Sequence, residues 1–372
     1  MKKLCVLLPM HWSGATGGAE IQARMLTEEI VRRKAFEVHY VARNVAPDYR
    51  PQGYMIHRVP PRRAVAGTFI LEAPSVLKTL EHIRPDVIYQ RVASAYTGVG
   101  AYYARHHGAR MLWHVANDRD LMPQVWRWSL RAPFEIVNRH MIDYGARHAT
   151  TVVVQNREQA ALLAGRYGRT DAIRIPNFHR APDAFDPRPA HPFLICWIAN
   201  LKPHKRPEVF LELARQFSDR SDLRFVMIGA QQMHGRSWLD FQSRLAATPN
   251  VEYLGPRTPD EVEALLERAA VFVNTSEIEG FANTFIQAWL RKVAVVSFEV
   301  NPDGLFDDDR YGLHARRDPA RLRAALERLI GDAALREDLT ERAADFARRE
   351  YSRSNLERLI ELLDAPSRPT AP

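Results

Sequence analysis

The chain has 372 residues, of which 46% are hydrophobic, and it carries a formal net charge of +8. This length provides for two domains with full cores, and this composition excludes an intrinsically disordered chain. No apolar run approaches the ~20 residues that span a membrane. Because zinc-finger spacing and RNA-binding aromatic motifs are absent, the positive charge favours an acidic lipid surface or a phosphorylated small molecule, and we expect no nucleic-acid partner.

The opening segment MKKLCVLLPMHW lacks a small-residue cleavage site and runs into a glycine turn. We interpret it as a core strand and not as a signal peptide. Cys5 and Cys196 lie far apart in apolar runs, which is typical of reduced core cysteines in a cytosolic protein. We therefore expect a cytoplasmic location.

Strand and helix patterns alternate through the first half of the chain. Strands are predicted at 4–9, 36–42, 54–59, 87–89, 111–115, 151–154 and 172–175. Helices are predicted at 19–33, 71–83, 93–107 and 125–148. This alternation is typical of a parallel sheet with helices on both faces.

The alternation breaks between residues 177 and 192, where four prolines mark a linker. It then resumes, with strands predicted at 193–198, 223–228, 251–254, 270–273 and 293–298. Helices are predicted at 207–217, 259–268, from Asn283 onward, and at 319–330, 333–349 and 353–363. We therefore expect an α/β fold of two Rossmann-like, doubly wound parallel-sheet domains that face each other across a cleft. The predicted boundaries are 1–180 and 181–350 for the two domains, 351–364 for a final helix and 365–372 for a disordered tail.

The segment from Ser276 to Trp289 combines a strand end, a glycine turn and a helix start. Backbone N–H groups exposed at such a place suit an oxygen-rich, anionic ligand. Glu279 precedes Gly280 at the turn, and Gln287 lies about one helical turn inside the helix, so the two side chains can grip different hydroxyls of one ligand. The alternative is an ordinary strand–helix turn with a solvated glutamate.

Two other strand ends carry phosphate-binding chemistry. Gly17 and Gly18 follow the first strand and open the first helix, where glycine allows close approach of a phosphate to the helix terminus. The spacing is not GxGxxG, so a dinucleotide fold is not indicated. The loop from Ala199 to Arg206 follows the first strand of the second half, and a diphosphate would need its cations. The alternatives are a flexible turn and a solvated basic loop.

Other polar segments allow more than one interpretation. His114 ends a strand of the first half and is either a group that faces the cleft or a packed, hydrogen-bonded residue. Asp118 and Asp120 could hold a divalent metal on a diphosphate, although one such pair is weak evidence. The segment that contains Trp126, Arg127, Trp128 and Arg131 suits an anionic bilayer, or else its tryptophans pack in the core of a long helix.

Together these motifs resemble family 4 retaining glycosyltransferases of the GT-B fold, and bacterial surface-polysaccharide enzymes in particular. The resemblance runs from GGAE through IPNF and NLKPHKR to EIEGFANTFIQAW and covers nearly the whole chain. It implies a hexosyltransferase that moves a hexose from a nucleotide-diphosphate sugar to a glycan or lipid-linked acceptor with retention of configuration. It implies no cofactor and no metal. It also implies an acceptor side in the first domain, a donor side in the second, and a last helix that crosses back to the first.

The resemblance also assigns residues. Lys205 matches the lysine that neutralises the donor diphosphate, Glu279 the first acid of an E-x7-E element, and His114 a histidine near the transferred sugar. These three are the expected catalytic residues. The expected donor-binding residues are Gly17, Gly18, Asn200, Lys202, Arg206, Leu254, Gly255, Pro256, Gly280, Phe281, Ala282, Asn283, Thr284 and Gln287.

Two positions depart from the family pattern, and they keep other functions open. Gln287 replaces the second glutamate, and Asn200 replaces an arginine that many members place on the diphosphate. An amide still bonds a ribose hydroxyl, and Lys202 or Arg206 could supply the missing charge. The alternatives are a sugar-nucleotide isomerase or phosphorylase on the same scaffold, and a non-catalytic sugar-nucleotide binding partner. The predicted location includes the inner membrane face, where an anionic surface would be a further partner.

Overall fold

The computed structural model describes residues 1–14, 17–60, 69–123, 132–182 and 192–366. The chain divides into two compact units, each described here by itself. The first unit comprises Met1–Phe178 together with Ser354–Pro372, and the second comprises His179–Arg353.

The first unit is built on a parallel sheet. Its strands are β1 (Lys3–Leu7), β2 (Glu37–Ala42), β3 (Met55–Arg58), β4 (Val87–Arg91), β5 (Arg110–His114), β6 (Thr151–Val154) and β7 (Ile173–Arg174). Their order across the sheet is β3-β2-β1-β4-β5-β6-β7, and the pairings are parallel. The carboxyl ends of these strands therefore lie along one edge of the sheet.

Helices pack on both faces of this sheet. They are α1 (Gly18–Arg33), α2 (Ala73–Ile83), α3 (Ala95–His107), α4 (Ala132–His148), α5 (Arg157–Tyr167) and the last helix of the chain, α12 (Arg353–Asp364). Successive residues of β1 point to opposite faces, so Leu4 and Val6 join the apolar cluster that contains α1 and α12, while Cys5 and Leu7 join the opposite cluster. Burial on both faces explains why this strand is a continuous apolar run.

The second unit repeats the plan. Its strands are β8 (Phe193–Ile198), β9 (Leu223–Ile228), β10 (Val251–Tyr253), β11 (Val271–Asn274), β12 (Ala294–Ser297) and β13 (Leu313–His314), in the order β10-β9-β8-β11-β12-β13. Its helices are α6 (Pro207–Arg215), α7 (Arg236–Ala246), α8 (Pro259–Arg268), α9 (Asn283–Leu290), α10 (Pro319–Gly331) and α11 (Ala333–Glu350). The central strand β8 pairs in parallel with β9 and β11. The ends of β8 and β11 are therefore neighbours at one edge.

Several elements differ from the sequence predictions. Helices α5 and α7 and strand β13 were not predicted, and helix α5 buries little beyond Gln159 and Leu163, so its apolar period is weak. The described part of helix α4 is Ala132–His148, and residues 125–131 of the predicted helix lie outside the described part of the chain. The same holds for residues 183–191 of the predicted linker and 367–372 of the predicted tail.

Two other predictions concern burial and the membrane. The prediction that both cysteines are buried is confirmed, since Cys5 and Cys196 are each 0% exposed, and neither forms a disulfide. In the described ranges, no helix is both long enough and apolar enough to cross a bilayer.

Candidate functional site

Two loops meet at the carboxyl edge of the second sheet. One follows β8 and runs from Ala199 to Arg206, and the other follows β11 and runs from Thr275 to Ala282. Because β8 and β11 are adjacent parallel strands, their loops leave the sheet side by side. The edge thus brings together the basic loop and the glycine turn, which are about 70 residues apart in the chain.

Hydrogen bonds fix these two loops to each other. The hydroxyl of Thr275 donates to the carbonyl of Lys205 at 2.7 Å, and the indole N–H of Trp197 donates to that hydroxyl at 2.8 Å. The amide of Glu277 donates to the carbonyl of His204 at 2.9 Å. The backbone at His204 and Lys205 is therefore fixed by the loop after β11, and Trp197 of β8 supports that contact through Thr275.

The side chains of Lys205 and Glu279 are bonded to each other in this arrangement. The ammonium Nζ of Lys205 donates to the carboxylate Oε1 of Glu279, and the Ser276 hydroxyl donates to the same oxygen at 2.7 Å. The two side chains are only 18% and 11% exposed. The structure therefore joins two predicted catalytic residues from separate loops into one partly buried ion pair.

Arg206 points to a different carboxylate. Its Nη1 lies 2.9 Å from Oε2 of Glu299, which follows β12, and its guanidinium stacks 5.1 Å from the ring centre of Phe298. Arg317 lies on the other oxygen of Glu299 at 3.5 Å. Glu299 was not predicted from the sequence, although an acidic residue two positions after a buried strand is a signal that could have indicated it.

Asn200 and the segment from Leu254 to Pro256 lie at neighbouring strand ends. The Asn200 side-chain oxygen accepts from the amide of Ala230 at 3.2 Å, which ties the β8 loop to the β9 loop. The amide of Gly229 donates to the carbonyl of Gly255 at 3.0 Å. Gly255 has a φ of +72°, in the region that favours glycine. Asn200 thus supports the loops, and its contact with a donor stays a prediction.

Helix α9 presents its first turn at the same edge. Its N-cap residue Ala282 supplies no side-chain cap, so the first amides of the helix are not capped by that residue. The rings of Phe281 and Tyr351 lie 5.0 Å apart in an apolar cluster, so the Phe281 side chain packs in the core of the second unit. Asn283 and Gln287 lie on α9, where Gln287 is 7% exposed and the Asn283 side chain bonds His179 at 3.2 Å.

The remaining predicted donor-binding residues occupy the positions that their motifs indicated. Gly280 is buried beside Glu279, Thr284 is half-buried in the first turn of α9, and Lys202 is half-buried before a short 3-10 turn. Gly17 and Gly18 belong to the first unit, at the start of α1, where a carboxylate oxygen of Glu20 turns back toward Gly17. Their contacts with a donor stay predictions.

His114 belongs to the first unit and lies at the end of β5. Its Nδ1 is 3.0 Å from the Tyr89 hydroxyl and 3.3 Å from Nη1 of Arg91. A guanidinium can only donate, so Nδ1 accepts and the ring proton lies on Nε2. Burial lowers the pKa of His114 well below its usual value, and the nearby Arg91 charge lowers it further. A hydrogen bond to the Ile175 backbone acts in the opposite direction but is the smallest of the three effects, so the ring is neutral.

His114 is 1% exposed, so of the two interpretations the packed, hydrogen-bonded one describes its side chain. It is packed in a polar cluster that the sequence did not indicate, in which Nη2 of Arg91 donates to the Asn177 side chain at 2.6 Å. A role of His114 at the transferred sugar stays a prediction.

The acidic pair proposed for a metal has another role. The Asp120 carboxylate accepts from the amides of Ala116 and Asn117 at 3.0 and 3.1 Å, and the Asp118 carboxylate accepts from Gln159 at 3.0 Å. Both residues therefore stabilise the loop after β5. Within the ranges that the structure describes, no group of three or more metal-ligating side chains is arranged to hold a metal ion. The aromatic and basic segment with Trp126, Arg127, Trp128 and Arg131 lies outside the described residues.

Known proteins share this fold. Sucrose-phosphate synthase from Thermosynechococcus elongatus superposes with a TM-score of 0.79 at 15% identity, over 97% of this chain and 98% of that one. HepE of Anabaena, solved with UDP and glucose, gives 0.77 at 15% identity, over 98% and 100%. WaaG, a glycosyltransferase involved in lipopolysaccharide biosynthesis, gives 0.76 at 12% identity, over 98% and 100%. The chain therefore has the GT-B fold, and the predicted fold class of two parallel-sheet α/β domains is confirmed.

Sequence comparison identifies the group within this fold class. Residues 192–332 match the family model described as glycosyl transferases group 1. D-inositol 3-phosphate glycosyltransferase of Corynebacterium diphtheriae is 26% identical over 170 residues, which are 42% of this chain and 40% of that protein. This match spans less than half the length of the relative. The second unit thus contains a group 1 glycosyl transferase domain, and that part of the predicted resemblance is confirmed.

Proposed function

We propose that the protein is a retaining glycosyltransferase that moves a hexose from a nucleoside-diphosphate sugar to a glycan or lipid-linked acceptor in cell-surface polysaccharide synthesis. The observation that carries this proposal is the convergence of Lys205, Glu279 and the first turn of α9 at one sheet edge. A cation, a carboxylate and backbone amides are the groups that a sugar diphosphate requires. The UDP and glucose bound in the HepE structure support the choice of a nucleotide-sugar donor.

In this proposal the bond between the anomeric carbon and the phosphate oxygen breaks, and its electron pair leaves with the diphosphate. The acceptor hydroxyl adds to the same face of the sugar, and its proton passes to the departing phosphate. Lys205 stabilises the charge that grows on the diphosphate. Glu279 accepts hydrogen bonds from sugar hydroxyls, and the amides near Gly280 hold the sugar in place.

The experiment is a transfer assay with a panel of nucleotide sugars, chosen first by thermal shift because a ligand of the folded state raises apparent stability. We expect one donor to be consumed only when an acceptor is present and the product to keep the anomeric configuration of the donor. Conversion of the donor sugar without any acceptor would instead identify an isomerase. Inversion of configuration would contradict the retaining mechanism.

We also propose that turnover requires no metal, because Lys205 supplies the positive charge for the diphosphate. Activity measured after exhaustive chelation should equal activity in added magnesium or manganese. If chelation abolishes turnover and manganese restores it, this part of the proposal is wrong.

A non-catalytic sugar-nucleotide binder is the second candidate function. It is favoured by the hydrogen bond that the Ala230 amide donates to Asn200, which gives the residue at the usual arginine position a structural role. Tight donor binding without turnover over a broad acceptor panel would support this candidate over the first.

A further inference from the structure

Lys205 and Glu279, which the proposed function assigns to the diphosphate and to the sugar, are each other's partner in the structure. The Glu279 oxygen that bonds Lys205 also accepts from Ser276 at 2.7 Å. Both charges are largely withdrawn from water, so their mutual attraction is screened less than that of an exposed pair. A ligand that binds either side chain must therefore compete with this ion pair.

We propose that Glu279 selects the intact nucleotide sugar over the sugar-free nucleoside diphosphate by competing with the diphosphate for Lys205. This inference rests on the proposed function and extends it to a choice between substrate and product. It makes Glu279 a specificity-determining residue in addition to a sugar contact.

The competition follows from charge. A diphosphate bound to Lys205 brings negative charge beside the Glu279 carboxylate, which is repulsive, and it draws the ammonium away from its partner. With a nucleotide sugar, the sugar hydroxyls donate to Glu279 and replace the bond to Lys205. With the diphosphate alone nothing replaces that bond, and the partly buried carboxylate loses its cationic partner and keeps the Ser276 hydroxyl. The product therefore binds more weakly than the substrate and is released.

The chain provides a matched control for this effect. Glu277 lies two residues before Glu279 in the same loop, but its side chain is exposed. A Glu277→Gln variant removes the same charge from the same loop without touching the Lys205 pair. A second variant, Lys205→Met, removes the group for which the carboxylate and the diphosphate are proposed to compete.

The experiment measures dissociation constants by calorimetry for UDP, GDP and ADP and for UDP-glucose, GDP-mannose and ADP-glucose. The proteins are the wild type, Glu279→Gln, Glu277→Gln, Lys205→Met and the double variant Lys205→Met with Glu279→Gln, each checked for folding by circular dichroism. We expect Glu279→Gln to bind the preferred diphosphate roughly fivefold more tightly or better, and the corresponding nucleotide sugar no more tightly than wild type. The double variant should bind the diphosphate no more tightly than Lys205→Met.

Three results would overturn the inference while leaving the proposed function intact. The first is a diphosphate affinity in Glu279→Gln that equals that of the wild type. The second is an equal increase of diphosphate affinity in Glu277→Gln, and the third is an increase on Glu279→Gln that persists when Lys205 is replaced by methionine. The last two would show general repulsion by a negative loop instead of competition for one cation. If the wild type binds none of the six probes, the proposed function fails and this inference fails with it.

Discussion

Replacing Lys205 with alanine tests the proposed chemistry most directly. Two unit charges about 4 Å apart interact by roughly 4 kcal/mol at an effective dielectric constant of about 20. The Lys205 side chain is 18% exposed, so some solvent screening remains, and we reduce this figure to about 3 kcal/mol. Since ~1.4 kcal/mol corresponds to a factor of ten in rate, kcat should fall by about 10²-fold.

The assay is the initial rate of nucleoside diphosphate release over a range of donor concentrations. Lys78, which is exposed on α2 in the first unit, gives a control variant with the same change of charge. Thermal unfolding shows separately whether loss of the cation beside Glu279 has destabilised the fold. A folded Lys205→Ala protein with a kcat within threefold of wild type would refute the assignment of Lys205 to the leaving group.

Three further predictions concern stability. In Gly229→Ala, the new Cβ would overlap the backbone carbonyl oxygen of Ala199, so urea unfolding should show a loss of about 3 kcal/mol; an unchanged midpoint would contradict the close approach. Burial lowers the pKa of His179 to about 4 from 6.5, so below pH ~6.5 the unfolded state binds a proton that the folded state does not. This costs about 2 kcal/mol by pH 5, and His179→Gln should lose less stability between pH 7 and pH 5 than wild type, whereas the exposed control His234→Gln should behave as wild type. Arg110→Ala removes donors to three carbonyls at the end of α12, so limited proteolysis should cut this helix faster; cleavage at the wild-type rate would show that these bonds do not hold it.

The alternation of strands and helices could be predicted because parallel strands buried on two faces are short apolar runs. β8 shows this well, since both of its faces lie in apolar clusters and its observed bounds equal the predicted ones. Helix α5 could not be predicted as easily, because its buried residues are Gln159 and Leu163 and polar residues dilute its apolar period. The local pattern of apolar residues therefore predicts an element when both of its faces pack, and it fails for a helix that buries few apolar side chains.

The sequence predicted the positions of individual site residues but not which side chains bond each other. The positions of Lys205 and Glu279 after strands indicated the edge where they lie, because strand ends collect at one side of a parallel sheet. That these two side chains bond each other, and that Arg206 bonds Glu299, depends on which strands are neighbours and on rotamers. Neither is encoded in spacing along the chain. The burial of His114 against Arg91 has the same origin.

Helix α12 gives the first unit a particular dependence on protein synthesis. Leu356, Leu359, Ile360 and Leu363 of this helix are buried in the apolar cluster that also contains residues of β1 and α1. A ribosome delivers these side chains only after it has translated the whole second unit. The apolar face of the first sheet that α12 covers therefore stays exposed until the end of synthesis. A chain truncated before α12 would expose this surface to chaperones.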